Sequence, residues 1–426
     1  MAIVSWWRLA RFSLLLLGTS SLVAATQAAT YYVSPSGSDA SSGALTAPFA
    51  TLQKAVNLAN PGDTIYMRGG TYTLAAQINI GRNGSSANLI TVLNYPGEVP
   101  ILDGIALTNQ NDSNIWANNL SWWHFKGLEI KNGPSMGIWL TGASHDNIID
   151  QCVTHHNVRL RSSGGGAGIL IDGTSANNLI LNNDSHHNGN PAISANAGDG
   201  IGVNYTLATG NIVRGNRMWR NNDDGLDLWN AANILVENNW SWENGYNDAL
   251  QHSGGNGNGF KLGGGGAGDG LHTVQNNLAW RNWHNGFDDN GANLLMHVFN
   301  NTSYENGADS FGFFAAVANI LKNNLAFPNG NTFMNPVVVQ GQNSWNLGVT
   351  VSSADFASLD FSGASGARQS DGSLPTLNFL KLVAGSDLIG KGVDVGIPYS
   401  GSAPDLGAYE YAGSLPPPTG LRVVGP

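Results

Sequence analysis

The chain has 426 residues, of which only 11% are charged, with 56 glycines and a formal net charge of −10. Nothing in that balance attracts nucleic acid or an anionic membrane surface, so an anionic substrate would need local positive charge from a metal or a few basic residues. High Gly and Asn content favours many short strands and turns, because both residues tolerate the left-handed backbone region.

Residues 1–28 read as a secretory signal. Arg8 and Arg11 flank the start of the apolar run "FSLLLLGTSSLVAA", and Ala28 closes a small-residue cleavage site. That run is short for a membrane span. An exported, monomeric protein is the expectation. Cys152 is the only cysteine, so no intrachain disulfide is possible and the core must suffice.

The stretch "PFATLQKAVNLANPGD" predicts a short amphipathic helix over about residues 48–60, with Leu52, Ala55, Val56 and Ala59 on one face. It suits a cap on a solenoid. The middle of the chain, about 120–345, repeats. Gly followed by an apolar residue recurs at Gly137, Gly168, Gly200, Gly225, Gly259, Gly286 and Gly312. Each is followed by a β-type run and then by Cys152, Asn183, Asn216, Asn239, Asn277, Asn301 or Asn324. Five residues further stand Asn157, Asn188, Asn221, Asn244, Asn282, Asn306 and Asn329. The shortest spacing, 23 residues, suits one coil of a right-handed, single-stranded parallel β-helix, an all-β fold whose equivalent residues stack about 4.8 Å apart. The first Asn column reads as a ladder placed on left-handed bends. Three residues beyond it, His155, His186, Trp219, Trp242, Trp280, Tyr304 and Phe327 form a mostly aromatic column, read as a stabilising stack rather than a sugar platform.

Three units carry extra residues at one corner: 158–167, 189–198 and 245–257. Stacked loops there build a wall, and a groove beside it suits an extended polymer. A glycine-rich excursion, 263–270, follows at the opposite end of one strand, its bareness leaving room for the polymer. The segment 403–411 reads as a final strand, and 412–426 as a Pro-rich tail.

The chemistry lies in the column two residues after each Gly: Trp139, Leu170, Gly202, Asp227, Lys261, Asp288, Phe314. It alternates with an apolar inner column and so faces outward. Asp199 and Asp224 precede successive glycines, with Asp223 adjacent. Asp199, Asp223, Asp224 and Asp227 therefore converge just below Lys261. Four carboxylates this close repel unless a cation joins them, and hard oxygen donors favour Ca²⁺. On a uronate polymer, a neutral lysine could remove the weakly acidic C5 proton and drive β-elimination. A cation beside Lys261 lowers its pKa, which points to activity at alkaline pH. Asp288, Asp289 and Arg281, one rung on, are candidates for a substrate subsite or for simple pairing.

"GDGIGVN", "NNDDGLDLW" and "GNGFKLGGG", in that order, resemble the family 9 polysaccharide lyases, which are calcium-dependent pectate lyases. The resemblance implies that Asp199, Asp223, Asp224 and Asp227 bind calcium, that Lys261 is the base, and that the substrate is α-1,4-polygalacturonate (pectin), cleaved to 4,5-unsaturated ends. Other readings stay open. One is a lyase or epimerase acting on alginate. Another is a polygalacturonase-type hydrolase, although its Gly-His-Gly motif is missing. A third is a non-catalytic adhesin.

Overall fold

A computed structural model describes residues 27–411 apart from 163–164, 194–196, 267 and 329–330. The signal segment up to residue 26, Asn329 and the tail 412–426 lie outside the described residues. Three parallel sheets, one of twelve strands and two of ten, wind along a single axis as a β-helix. In each sheet, neighbouring strands come from successive coils, as when Ile201 and Gly202 pair with Leu226 and Asp227. The coils begin well before the repeat is legible: Thr30–Val33 already pairs with Thr64–Met67, and the last rung is Val339–Gly341. The first coils lack the Gly and Asn columns, so periodicity could not reveal them.

The helix is Leu52–Leu58. Thr51 caps it by accepting the Lys54 N–H, and Leu52, Ala55 and Val56 are buried. It packs on strands Thr30–Val33, Thr64–Met67 and Ile78–Ile80, closing the N-terminal end of the core. Among the described residues no helix is long and apolar enough to cross a membrane.

The inner column is a continuous apolar stack: Ile138, Ile169, Ile201, Leu226, Phe260, Phe287 and Phe311 are all fully buried. Phe260 and Phe287 stack 4.8 Å apart and nearly parallel, and Phe287 and Phe311 4.9 Å. Each burial removes a large apolar surface from water, roughly 1.5–3 kcal/mol per side chain. The Gly column has a steric cause. A Cβ at Gly259 would sit 2.7 Å from the Gly286 carbonyl and 2.8 Å from the Asn282 amide. One slot differs from the sequence expectation: Asp288 pairs with Gly312, so Ser310 ends the Gly column, and Phe314 leaves the outward column to stack on Phe333.

The ladder is longer than expected and more than one. Backbone N–H groups of Cys152, Asn183, Asn216, Asn239, Asn277, Asn301 and Asn324 donate to the next side-chain carbonyl up to Asn343 at 2.8–3.0 Å. The second column, Asn157 to Asn306, does the same, and so does the short run Asn147, Asn178 and Asn211. The left-handed residue is the one before each ladder Asn, such as Asn182, Asn238 and Asn276. That bend turns the ladder amide inward, where it satisfies backbone groups water cannot reach. Cys152 fills a ladder slot, fully buried, and its thiol is pushed up to about 12 chiefly by burial, so it is inert.

The aromatic column is real. His186 and Trp219 stack at 4.1 Å, and Trp219, Trp242 and Trp280 follow at 4.8 Å steps. Residues beyond the last coil fold back over it: Phe379 contacts Trp280 and Tyr304, and Phe356 contacts Phe327. The segment 403–411 belongs to this cover and forms bends, not the expected strand. Burial pushes His186 down to about 2, so it stays a neutral stacking ring.

Candidate active site and metal centre

The outward column is built as its register predicts. Trp139, Leu170, Gly202, Asp227, Lys261 and Asp288 pair in order. Loops and strand ends enclose part of it in a cleft of about 430 Å³, lined among others by Trp139, Arg161, Asp199, Asp223, Asp227, Trp229, Asn256 and Lys261. Arg161 and Asn256 come from two of the extra-residue corner loops, which therefore do form a wall.

Lys261 is only 6% exposed. Its Nζ lies 3.2 Å from Asp224 Oδ2 and donates to Asp227 Oδ2 at 3.3 Å. The Trp229 ring centre is 5.2 Å from it. The glycines after Leu262 seat that indole rather than leaving open space: a Cβ at Gly265 would fall 2.3 Å from the Trp229 ring, and Gly265 has φ +97°.

Asp199, Asp224 and Asp227 are buried, and one oxygen of each lies within 4.8 Å of the others. Asp223 is buried beside them but stands outside this triad. The carboxylates are held from behind. Asp224 Oδ1 accepts from the Asn258 backbone at 2.7 Å and from its amide at 2.9 Å. Asp199 Oδ1 accepts the Asp224 N–H at 3.1 Å, and Asp223 Oδ1 the Asn256 N–H at 2.6 Å. Asp224 Oδ2 and Asp227 Oδ1 remain buried without a hydrogen-bond partner. An Asp227 oxygen without a partner and an Asp224 oxygen held only by the Lys261 ion pair, beside the Asp199 carboxylate, are a donor set for a hard divalent cation.

The electrostatics agree. Burial, then the neighbouring Asp227, Asp223 and Asp224, raises Asp199 well above the usual carboxylate range. Burial and Asp224 lift Asp223 to about 8, and burial lifts Asp227 to about 6 despite Lys261. Burial works against the Lys261 ammonium, but Asp227, Asp224, Asp199 and Asp223 outweigh it, so its pKa is raised. This is opposite to the lowering expected beside a bound cation: with the carboxylates uncompensated, lysine is their counter-ion.

The three residues proposed for a subsite are not brought into the cleft. Asp288 accepts from Asn285 at 2.9 Å and from the Asn290 N–H at 2.7 Å, and Asp289 accepts the Gly291 and Ala315 N–H groups. Arg281 sits on a left-handed bend at another corner, 4.0 Å from Glu243 and over Phe361. Trp229, Asn258 and Asn256 escaped sequence reasoning. Trp229 had a visible signal, since it follows Asp227 by two and so shares its face.

Residues 31–333 match the family model described as "Pel9A-like, right handed beta helix region". The chain belongs to the Pel9A-like β-helix family. Pectate lyase L of Dickeya chrysanthemi is 34% identical over 89% of this chain and 90% of its own. Pectate lyase PEL9 of Emericella nidulans is 34% identical over 87% and 96%. The solved structure of pectate lyase Pel9A superposes with a TM-score of 0.80 at 31% identity, covering 90% of this chain and 96% of that one. A structure titled rhamnogalacturonan lyase follows at 0.74 and 25% identity, covering 83% and 96%. The likeness to family 9 lyases carried by the three motifs thus extends over about nine-tenths of the chain, and the right-handed coil over residues 31–333.

Proposed function

We propose that the protein is an exported pectate lyase that cleaves α-1,4-polygalacturonate by β-elimination, with Lys261 as base and Ca²⁺ held by Asp199, Asp224 and Asp227, with Asp223 adjacent. The observation that carries it is a buried amine 3.2–3.3 Å from two carboxylates that lie close to a third, one oxygen of each within 4.8 Å of the others, in a cleft of about 430 Å³. Relatives named pectate lyase at 34% identity support the substrate class.

Asp199, Asp224 and Asp227 supply the hard oxygen donors, and Asn258 holds Asp224 in place for them. When bound, the cation supplies positive charge that draws in the uronate carboxylate and stabilises negative charge developing next to C5. Compensated carboxylates no longer hold Lys261 as an ammonium, so its neutral form becomes accessible. The neutral Nζ takes the C5 proton. The C5–H electron pair becomes the C4=C5 double bond, the C4–O bond breaks, and the departing oxygen takes a proton from water. The Trp229 ring shields one side of the amine from water.

The deciding experiment is incubation with polygalacturonate, with and without a chelator, followed by ultraviolet absorbance and reducing-end assay. Calcium-dependent absorbance is expected. Reducing ends without absorbance would mean hydrolysis, and product only from rhamnogalacturonan or alginate would move the substrate.

A further inference from the structure

The cleft extends well beyond Lys261. Trp139, Leu170, Asp227 and Lys261 line it, and with Gly202 they stand on five successive rungs. Four steps of about 4.8 Å put its far end roughly 19 Å from the lysine rung. There the wall changes character. Trp139 packs with Met136, Ala167 and Leu170 in a small apolar cluster apart from the main core.

Beside that cluster stands Arg161. Its Nη1 donates to Ser135 Oγ at 2.7 Å. Its Nε is buried and has no hydrogen-bond partner. Asp172, on the same wall, bears on it only through longer-range charge. The other cation of the cleft, Lys261, is occupied by Asp224 and Asp227. Among the described residues Arg161 is therefore the cleft's one cation without an ion-pair partner.

An arginine with a free Nε edge matches a planar anion, because two parallel N–H groups meet the two oxygens of a carboxylate. The neighbours suit the rest of a sugar acid. Trp139 offers an aromatic face to a ring's C–H surface. Asp172 Oδ1 and Asn204 Oδ1, both lining the cleft without a partner, can accept sugar hydroxyls. Gly202, between them and the acidic cluster, is buried, and its missing side chain leaves room for Leu170 and Asn204, which a Cβ would meet at 2.8 and 3.3 Å.

We propose that Arg161 and Trp139 form a second uronate subsite, remote from the reacting linkage, in which the Arg161 fork binds the carboxylate of another unit of the same polymer. The proposal rests on the pectate reading of the Lys261 site. It makes Arg161 a specificity-determining residue: a methyl-esterified unit has no carboxylate for the fork and binds less well there. Its role is in binding, so it acts on KM and not on proton removal.

The test compares wild type, Arg161→Gln and Arg161→Lys on galacturonate hexasaccharide and trisaccharide with calcium present. The trisaccharide, once placed at Lys261, is too short to reach Trp139. For Arg161→Gln, KM on the hexasaccharide should rise about tenfold, the scale of a lost charge-assisted pair, with kcat within about twofold. The trisaccharide kinetics should stay unchanged. Arg161→Lys, which keeps the charge but loses the fork, should recover only part of the loss. Wild-type kinetics for Arg161→Gln on the hexasaccharide, or equal losses on both lengths, would overturn the subsite. If wild type forms unsaturated product from neither substrate, the pectate reading itself is what fails, and the subsite falls with it.

Discussion

Two columns of side chains run outward along this β-helix, and they have opposite fates. The aromatic column, from His155 to Phe327, is roofed for much of its length by the chain beyond residue 345, with Trp280 fully buried under Phe361 and Phe379. The site column, from Trp139 to Lys261, is walled by loops and keeps a cleft of about 430 Å³. The first satisfies itself: ring meets ring, and the cover removes apolar surface from water. The second does not, leaving Asp227 Oδ1 and Arg161 Nε without a hydrogen-bond partner and Asp224 Oδ2 with only the Lys261 ion pair. In one solenoid, stability is concentrated where groups pair among themselves, and chemistry where they wait for an outside partner.

Substitutions in the two columns should therefore separate activity from stability. The largest effect is expected for Lys261→Ala: turnover on polygalacturonate should fall by about 10²–10⁴, the usual worth of a positioned base, with calcium binding by calorimetry largely kept. Retention of most of the rate would remove Lys261 from its role. Trp280→Ala should do the reverse, losing about 3–5 kcal/mol in denaturant unfolding while turnover per folded molecule holds. A drop in turnover would mean that the two columns are coupled. Asp227→Asn should weaken calcium binding by about tenfold or more, because one charged ligand is lost from a site that depends on its carboxylates. Unchanged calcium dependence of the rate would contradict the proposed donor set.

The smallest effect is a pH trend in thermal unfolding. Asp223 and Asp227 titrate at about 8 and about 6 in the folded, cation-free protein, against 3.8 for an ordinary aspartate. Their folded pKa values are raised, so the folded state holds these protons more tightly. Stability from this site is fullest below about 4 and declines as pH rises through about 6 to about 8. The raised Lys261 contribution stays constant across that window, because an unfolded lysine titrates near 10.5. Calcium offsets the carboxylate repulsion, so the calcium-induced rise in Tm should grow over the same interval. A rise in Tm independent of pH would show that the carboxylates do not carry the effect.

Much of this was legible in the chain alone, for a specific reason. In a β-helix, one register error moves every side chain to the wrong face, so Gly and Asn columns imposed by steric and hydrogen-bond demands recur at fixed offsets. That is why Asp227 opposite Lys261, and Asp199 one rung from Asp224, could be placed without coordinates. Where those columns are absent, as in the coils before residue 120, the reading stopped. It slipped at Gly312, where an apolar residue after Gly imitated the motif two residues beyond the true slot at Ser310, on the same face. It misplaced Arg281, because the bend before each ladder Asn turns that residue toward a different corner.

The sequence by itself thus determined the coil, the inner stack, the first Asn ladder and the convergence of acids on one lysine, since all four follow from repeated local spacing. Only the tertiary structure decided what encloses that lysine. Trp229 against Gly265, Asn258 behind Asp224, the roof over the aromatic column and Arg161 at the far end of the cleft are contacts between segments with no fixed sequence offset. They depend on how irregular loops fill space around a regular core, and spacing carries no record of that.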